Sequence, residues 1–191
     1  AWGDLVIRVT QGNDSPTKIA IAPIANAGDA LTEDMARIVE ADLQRSGLFA
    51  VTPREDMLSY PTMVKDVYYR DWRLVGSEYL VVGHMTRMED GRYAIDFSLL
   101  SVTAQKLVFR HRVTGSAKQI RDLSHLISDR VYREITGIPG IFSTRIAYVT
   151  ATQIAERMTY RLHVADADGA REKLMLESAE PIMSPAWSPD A

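Results

Sequence analysis

Thr136-Gly-Ile-Pro-Gly-Ile-Phe-Ser-Thr-Arg-Ile-Ala-Tyr-Val149 decides the fold, because it joins the end of a helix to the start of a strand through two glycines and a proline. Downstream, Arg145-Ile-Ala-Tyr-Val149 reads as a strand, residues 160–165 (Tyr-Arg-Leu-His-Val-Ala) as a second and residues 173–176 as a short third. Asp166-Ala-Asp-Gly169 between the last two is a turn: Gly reaches positive φ without a Cβ clash, and Asp hydrogen-bonds its own backbone. Ser184-Pro-Ala-Trp-Ser-Pro-Asp190 then reads as the opening of a next unit. This is the pattern of one β-propeller blade, a small sheet that buries its faces only against neighbouring blades. Closed propellers need roughly four to eight such units of about 40–45 residues. One unit cannot close, so the expectation is an N-terminal portion of a longer protein.

Upstream of the junction the periodicity changes. Residues 18–24 (Lys-Ile-Ala-Ile-Ala-Pro-Ile) form an apolar run suited to a strand buried on both faces. A helix is expected next, capped by Thr32 with Glu33 and Asp34 in its first turn, striped by Met35, Ile38, Val39 and Leu43, and closed at Gly47. Residues 48–52 follow as a strand. The spacing predicts a helix over residues 64–75, with Tyr68, Trp72 and Val75 on one face; this aromatic group reads as core packing in preference to a ligand platform. Residues 78–85, 93–102 and 107–113 are strands, the last two joined across residues 103–106 as a hairpin. Ser116-Ala-Lys-Gln119 is a capping box for a helix striped by Ile120, Leu123, Ile127, Val131 and Ile135. The fold class is therefore α/β: an N-terminal α/β domain with a mixed sheet and two to three helices, followed by an incomplete β-propeller blade, one β-meander. The expected division is residues 1–17 as a separate segment, 18–140 as the α/β domain and 141–191 as the blade.

Composition limits the chemistry. With 22 basic and 25 acidic residues scattered along 191 and a formal net charge of −3, no phosphate-binding stripe is present, and nucleic acid is not an expected partner. The chain contains no cysteine, so disulfides, thiolate nucleophiles and Cys-containing zinc sites are excluded. No apolar run approaches the ~20 residues of a membrane-spanning helix, so stable membrane insertion is not expected. His84, His111, His125 and His163 show no metal-ligand spacing and read as structural or solvated. Aligning Gly169 with the glycine of a calcium loop puts Val164 and Met175 at ligand positions, which argues against calcium. No Gly-x-Ser-x-Gly, Walker A or dinucleotide glycine pattern occurs, so neither a catalytic residue nor a cofactor is expected. Residues 4–9 remain: Leu5, Ile7 and Val9 alternate with Val6 and Arg8, a strand pattern with nothing local to pair with, broken by Gln11-Gly-Asn-Asp-Ser-Pro16.

These motifs resemble those of the TolB family, the soluble periplasmic component of the Tol-Pal cell-envelope system. The resemblance is carried by Lys18 to Pro23, Asp42-Leu-Gln-Arg-Ser-Gly-Leu-Phe49, Leu80-Val-Val-Gly83, the Thr136–Val149 junction and Ser184–Asp190, and it covers essentially the whole chain except residues 54–76, which match loosely. It implies a non-enzymatic periplasmic adaptor for outer-membrane integrity and cell division. The implied partners are the TolA C-terminal domain at the N-terminal segment and the Pal lipoprotein at a full propeller, with bacteriocins exploiting the same face for import. Carried onto this chain, the TolA-binding segment is Asp4, Leu5, Val6, Ile7, Arg8, Val9, Thr10, Gln11, Gly12, Asn13, Asp14, Ser15 and Pro16. Such a segment suits strand addition to a partner's sheet edge, in which backbone bonds supply affinity and alternate side chains fill pockets. Two other readings compete: residues 4–9 as an ordinary edge strand of their own domain, and the whole chain as a fragment of a propeller-containing hydrolase.

Overall fold

The computed structural model describes residues 15–26, 28, 33–155 and 157–188. Two compact units are present, Ala1–Ile127 and Ser128–Ala191.

The first unit is built on β1 (Thr17–Ile21), flanked in parallel by β2 (Phe49–Val51) and β3 (Tyr79–Arg87). Antiparallel β4 (Tyr93–Ser101) and β5 (Lys106–Gly115) extend the sheet beyond β3, giving the order β2-β1-β3-β4-β5. Ile19, Ala20, Ile21 and Ala22 are all fully buried, so both faces of β1 are covered and the continuous apolar run is accounted for. The β4–β5 ladder slips by one residue between Leu99 and Leu100, a bulge beside the Thr103–Gln105 turn, where Gln105 takes a left-handed φ of 50°.

Helix α1 (Met35–Arg45) packs on β1 and β2, with Met35, Ala36, Val39 and Leu43 buried. Its N-cap is Asp34, whose carboxylate accepts from the Arg37 N–H at 3.2 Å; the expected cap, Thr32, lies outside the described residues, and Glu33 precedes the helix. The cap shifts because Asp34 has a second bond to make. Arg54, on the 3₁₀ turn Arg54–Asp56 after β2, grips the Asp34 carboxylate with Nη1 at 2.7 Å and Nη2 at 3.0 Å, and its Nε reaches Glu40 at 3.0 Å. At the other end Gly47 takes φ 73° just beyond the Ser46 cap, as its position in the sequence required.

Residues 54–76 depart from the expected helix over 64–75. Only α2 (Tyr69–Leu74) is α-helical; Val64–Asp66 is a 3₁₀ turn, and Val67 and Tyr68 are extended. Val64, Val67 and Tyr68 are β-branched or aromatic and weak helix formers, and the segment follows the shape of the sheet face instead of its own period. Trp72 is buried with Met57 against Ala20, Ala22, Leu80, Val82, Leu100 and Val102, while Val64, Val67, Tyr69 and Val75 pack around it. Trp72 and Val75 thus join the core as expected, but the face is completed by Tyr69, and Tyr68 is 73% exposed.

Helix α3 (Ile120–Thr136) begins with the expected capping box, in which the Ser116 N–H donates to Gln119 Oε1 at 2.9 Å. Its first turns are tied to α1 and the residues before it by two pairs: Arg121 Nη1 to Glu33 Oε2, just ahead of α1, at 3.2 Å, and His125 Nδ1 to Asp42 Oδ2 within α1 at 2.7 Å. Asp42 and His125 are both buried, and Arg45 also reaches the Asp42 carboxylate. This arrangement agrees with the need of a buried charge for paired, hydrogen-bonded neighbours.

The second unit contains an antiparallel meander, β6 (Arg145–Ile154), β7 (Arg157–Asp166) and β8 (Lys173–Ser178), in that order. The observed architecture is the expected one, a mixed five-stranded sheet with three helices followed by a three-stranded meander.

Burial raises the Asp34 carboxyl, but the Arg54 guanidinium and the Arg37 amide more than offset this and hold it below the usual carboxylate value. A depressed folded value means that the stability from Asp34 is fully present above its unfolded value of about 3.9 and is lost as pH falls through the folded one. Replacing Arg54 by Met should therefore raise the Asp34 titration midpoint, read from its carboxyl ¹³C shift, and weaken the acid dependence of stability. An unchanged midpoint would mean that Arg54 does not set it.

Candidate interaction surfaces

Of the expected partner-binding residues, Asp4 through Asp14 lie outside the described residues; Ser15 and Pro16 are described, and both are exposed. They lead directly into β1. The Thr17 N–H donates to the Leu48 carbonyl at 2.9 Å, and Lys18 is held by Glu78 twice, through its N–H to Oε1 at 3.2 Å and through its carbonyl from the Glu78 N–H at 2.8 Å. Ser15 and Pro16 therefore lead into a strand paired on both sides, between β2 and β3, at the end where the three parallel strands begin. From there a segment is held at its root by strands on both sides.

The meander is introduced by a tight junction. Gly137 takes φ 75° at the end of α3, and Asp129 of that helix receives the next residues: its Oδ1 accepts from the Phe142 N–H at 2.8 Å, and its Oδ2 from the Ser143 N–H at 3.2 Å and the Ser143 hydroxyl at 2.5 Å. Phe142 is buried and meets Tyr132 edge to face at 5.5 Å. Gly140 lies so close beneath Asp129 that a Cβ there would fall 2.6 Å from the Asp129 Cα. The glycine is required by lack of space, since its own φ is not left-handed. Farther on, the Asp166–Gly169 turn closes with the Gly169 N–H on the Asp166 carbonyl at 2.8 Å, and Arg171 Nε binds the Asp166 carboxylate at 2.7 Å. Ile146, Leu174, Met175 and Leu176 of this sheet are exposed, as is Trp187 beyond it. Leu174 and Leu176 alternate with Met175 along β8, so both faces of this edge strand present apolar side chains to solvent.

The histidines have the company that linear spacing could not reveal. His125 pairs with Asp42, 83 positions away; His84 Nε2 lies 3.7 Å from Asp96; His163 pairs with Glu172 and stacks on Tyr148 at 5.2 Å; and His111 meets Phe97 edge to face. Ser124, beside His125, donates to the Ile120 carbonyl of its own helix at 2.8 Å. The Asp96–Arg112 pair was also missed: a hairpin turning over residues 103–106 would set Asp96 opposite Val113, and it is the observed register, with its bulge between Leu99 and Leu100, that sets Asp96 opposite Arg112.

A family model described as the TolB amino-terminal domain matches residues 5–108, and one described as the TolB beta propeller domain matches residues 132–191. The chain belongs to the TolB family. Relatives named Tol-Pal system protein TolB are 50% identical over 192 residues in Marinomonas sp. (strain MWYL1) and 45% identical over 190 residues in Alcanivorax borkumensis, each match covering 100% of this chain. The chain spans 44% and 43% of the lengths of those two relatives. The crystal structure of TolB from Acinetobacter baumannii matches 95% of this chain and 43% of that one with a TM-score of 0.79 at 36% identity. The family thus has both folds seen here, and the meander corresponds to part of its propeller domain. Among the described residues, no helix is long and apolar enough to cross a membrane.

The junction geometry makes a comparative prediction. Gly140→Ala should destabilise the meander unit by about 1–3 kcal/mol, the range for forcing volume into a filled site. Gly137→Ala meets open space and suffers only the left-handed backbone cost of about 1–2 kcal/mol. In urea unfolding, Gly140→Ala should combine its loss with disruption of the Asp129 contacts to Phe142 and Ser143, visible as shifted amide resonances of both, whereas Gly137→Ala leaves these resonances in place.

Proposed function

We propose that this chain is a non-enzymatic, periplasmic protein-interaction component of the Tol-Pal system, contributing to outer-membrane integrity and cell division. In this reading residues 1–17 are the partner-binding segment, 18–140 a folded platform and 141–191 the first blade of a propeller. Residues 4–16 bind the TolA C-terminal domain by strand addition, with Leu5, Ile7 and Val9 filling pockets on one side. The complete propeller binds Pal, and bacteriocins use the same face for import.

The observation that carries the reading is the conjunction of family membership with the placement of Ser15 and Pro16, exposed at the start of a strand anchored on both sides. A segment rooted there is positioned by a rigid sheet, and its alternating apolar side chains are of the kind that a partner's edge strand accepts. The exposed Leu174, Met175 and Leu176 support the assignment of the meander to a propeller, whose blades cover one another's faces.

Isothermal titration with the purified TolA C-terminal domain tests the proposal. The chain should bind, and deletion of residues 1–16 should abolish binding while leaving the circular dichroism of the folded units intact. Unchanged affinity after the deletion would remove residues 4–16 as the site.

A further inference from the structure

The sheet face that carries Trp72 is covered unevenly. At one end Ala20, Leu80, Leu100 and Val102 lie under the 54–76 segment, but toward the other end of β3–β4–β5 the same face turns polar. The register lays out two rows across the three strands: Val82, Ser98 and Arg110 in one, and His84, Asp96 and Arg112 in the next. The 3₁₀ turn brings Met63, Val64 and Lys65 alongside, and together these groups line an open groove of about 350 Å³. That volume lies within the ~300–1,000 Å³ typical of ligand clefts.

The charges of the groove are unequally satisfied. Arg112 binds Asp96 with both arms, Nε to Oδ1 at 2.8 Å and Nη2 to Oδ2 at 2.7 Å, and this pairing keeps the Asp96 carboxyl below its usual range. Arg110 in the neighbouring row and Lys65 across the groove have no hydrogen-bond or ion-pair partner among the described residues, and both are exposed. The hydroxyl of Ser98 between them is likewise without a partner. In a chain of net charge −3, Arg110 and Lys65, two cations with no hydrogen-bonded partner of their own, and the Ser98 hydroxyl thus line the groove beside the apolar side chains of Met63, Val64 and Val82; Asp96 is the one carboxylate of the lining, and it interacts with Arg110 as well as with Arg112.

We propose that this groove binds an extended acidic peptide of a partner protein, with a carboxylate between Arg110 and Lys65 and a neighbouring apolar side chain against Met63 and Val64. A guanidinium recognises a carboxylate through two parallel hydrogen bonds, and Arg110 has its donors available for this. The apolar flank of Met63 and Val64 would gain nothing from a phosphate ion. A peptide alternating acidic and apolar residues satisfies both halves of the groove. The groove is separate from residues 4–16, so its test stands apart from that of the TolA segment.

The test is fluorescence anisotropy at low salt with a labelled, acetylated and amidated peptide of alternating Glu and Val, beside its Gln–Val counterpart. The Glu–Val peptide should bind, and the Gln–Val peptide should bind at least tenfold more weakly. R110A and K65A, each at an exposed position, should each weaken binding by about tenfold, whereas K106A, which removes an equal charge at the start of β5, should change it less than twofold. Absence of binding, equal loss in all three variants, indifference to R110A and K65A, or displacement of the peptide by an equal concentration of inorganic phosphate would each overturn the proposal.

Discussion

Burial of β1 on both faces is the constraint on which the rest of the first unit depends. A strand with Ile19, Ala20, Ile21 and Ala22 all removed from water must have a layer on either side and a strand on either flank. One layer contains α1, the other the 54–76 segment with Trp72. The flanks are β2 and β3, and parallel pairing to both requires crossover segments, which are α1 on one side and residues 54–76 on the other. Arg54 ties the two crossovers together, since it stands at the start of the second while bonding Asp34 and Glu40 on the first.

The same constraint determines where function can be attached. Because β1 lies between β2 and β3, the residues leading into Thr17 are rooted in a strand paired on both sides. The polar end of the β3–β4–β5 face follows from a different limit. The 54–76 segment extends over only part of that face, and beyond it the strands exchange apolar residues for His84, Asp96, Arg110 and Arg112.

Legibility in the sequence followed the range of the interactions. β1, the hairpin of β4 and β5, the capping box of α3 and the meander all depend on near neighbours, with a period of two or a turn residue at a set offset, and each was readable. The helix predicted over 64–75 failed because packing on the sheet, a distant partner, overrode a weak local preference at Val64, Val67 and Tyr68. The shift of the α1 cap to Asp34 has the same origin, as Arg54 is 20 residues away. His125–Asp42 and the groove charges required knowledge of which elements become neighbours. Residues 4–9 were legible as a strand pattern with no local partner, and the family resemblance extended the segment to 4–16, but alternation alone does not name what such a strand pairs with.

In the function proposed above, a preformed platform presents residues 4–16 to a partner's sheet edge. Amide hydrogen exchange, with and without the TolA C-terminal domain, tests it most directly. Residues 4–14 should become more protected on binding, while Ile19, Ala20 and Ile21 of β1 should be strongly protected in both states. Protection gained elsewhere in the chain with none over residues 4–14, or a β1 that acquires protection only with the partner, would contradict it.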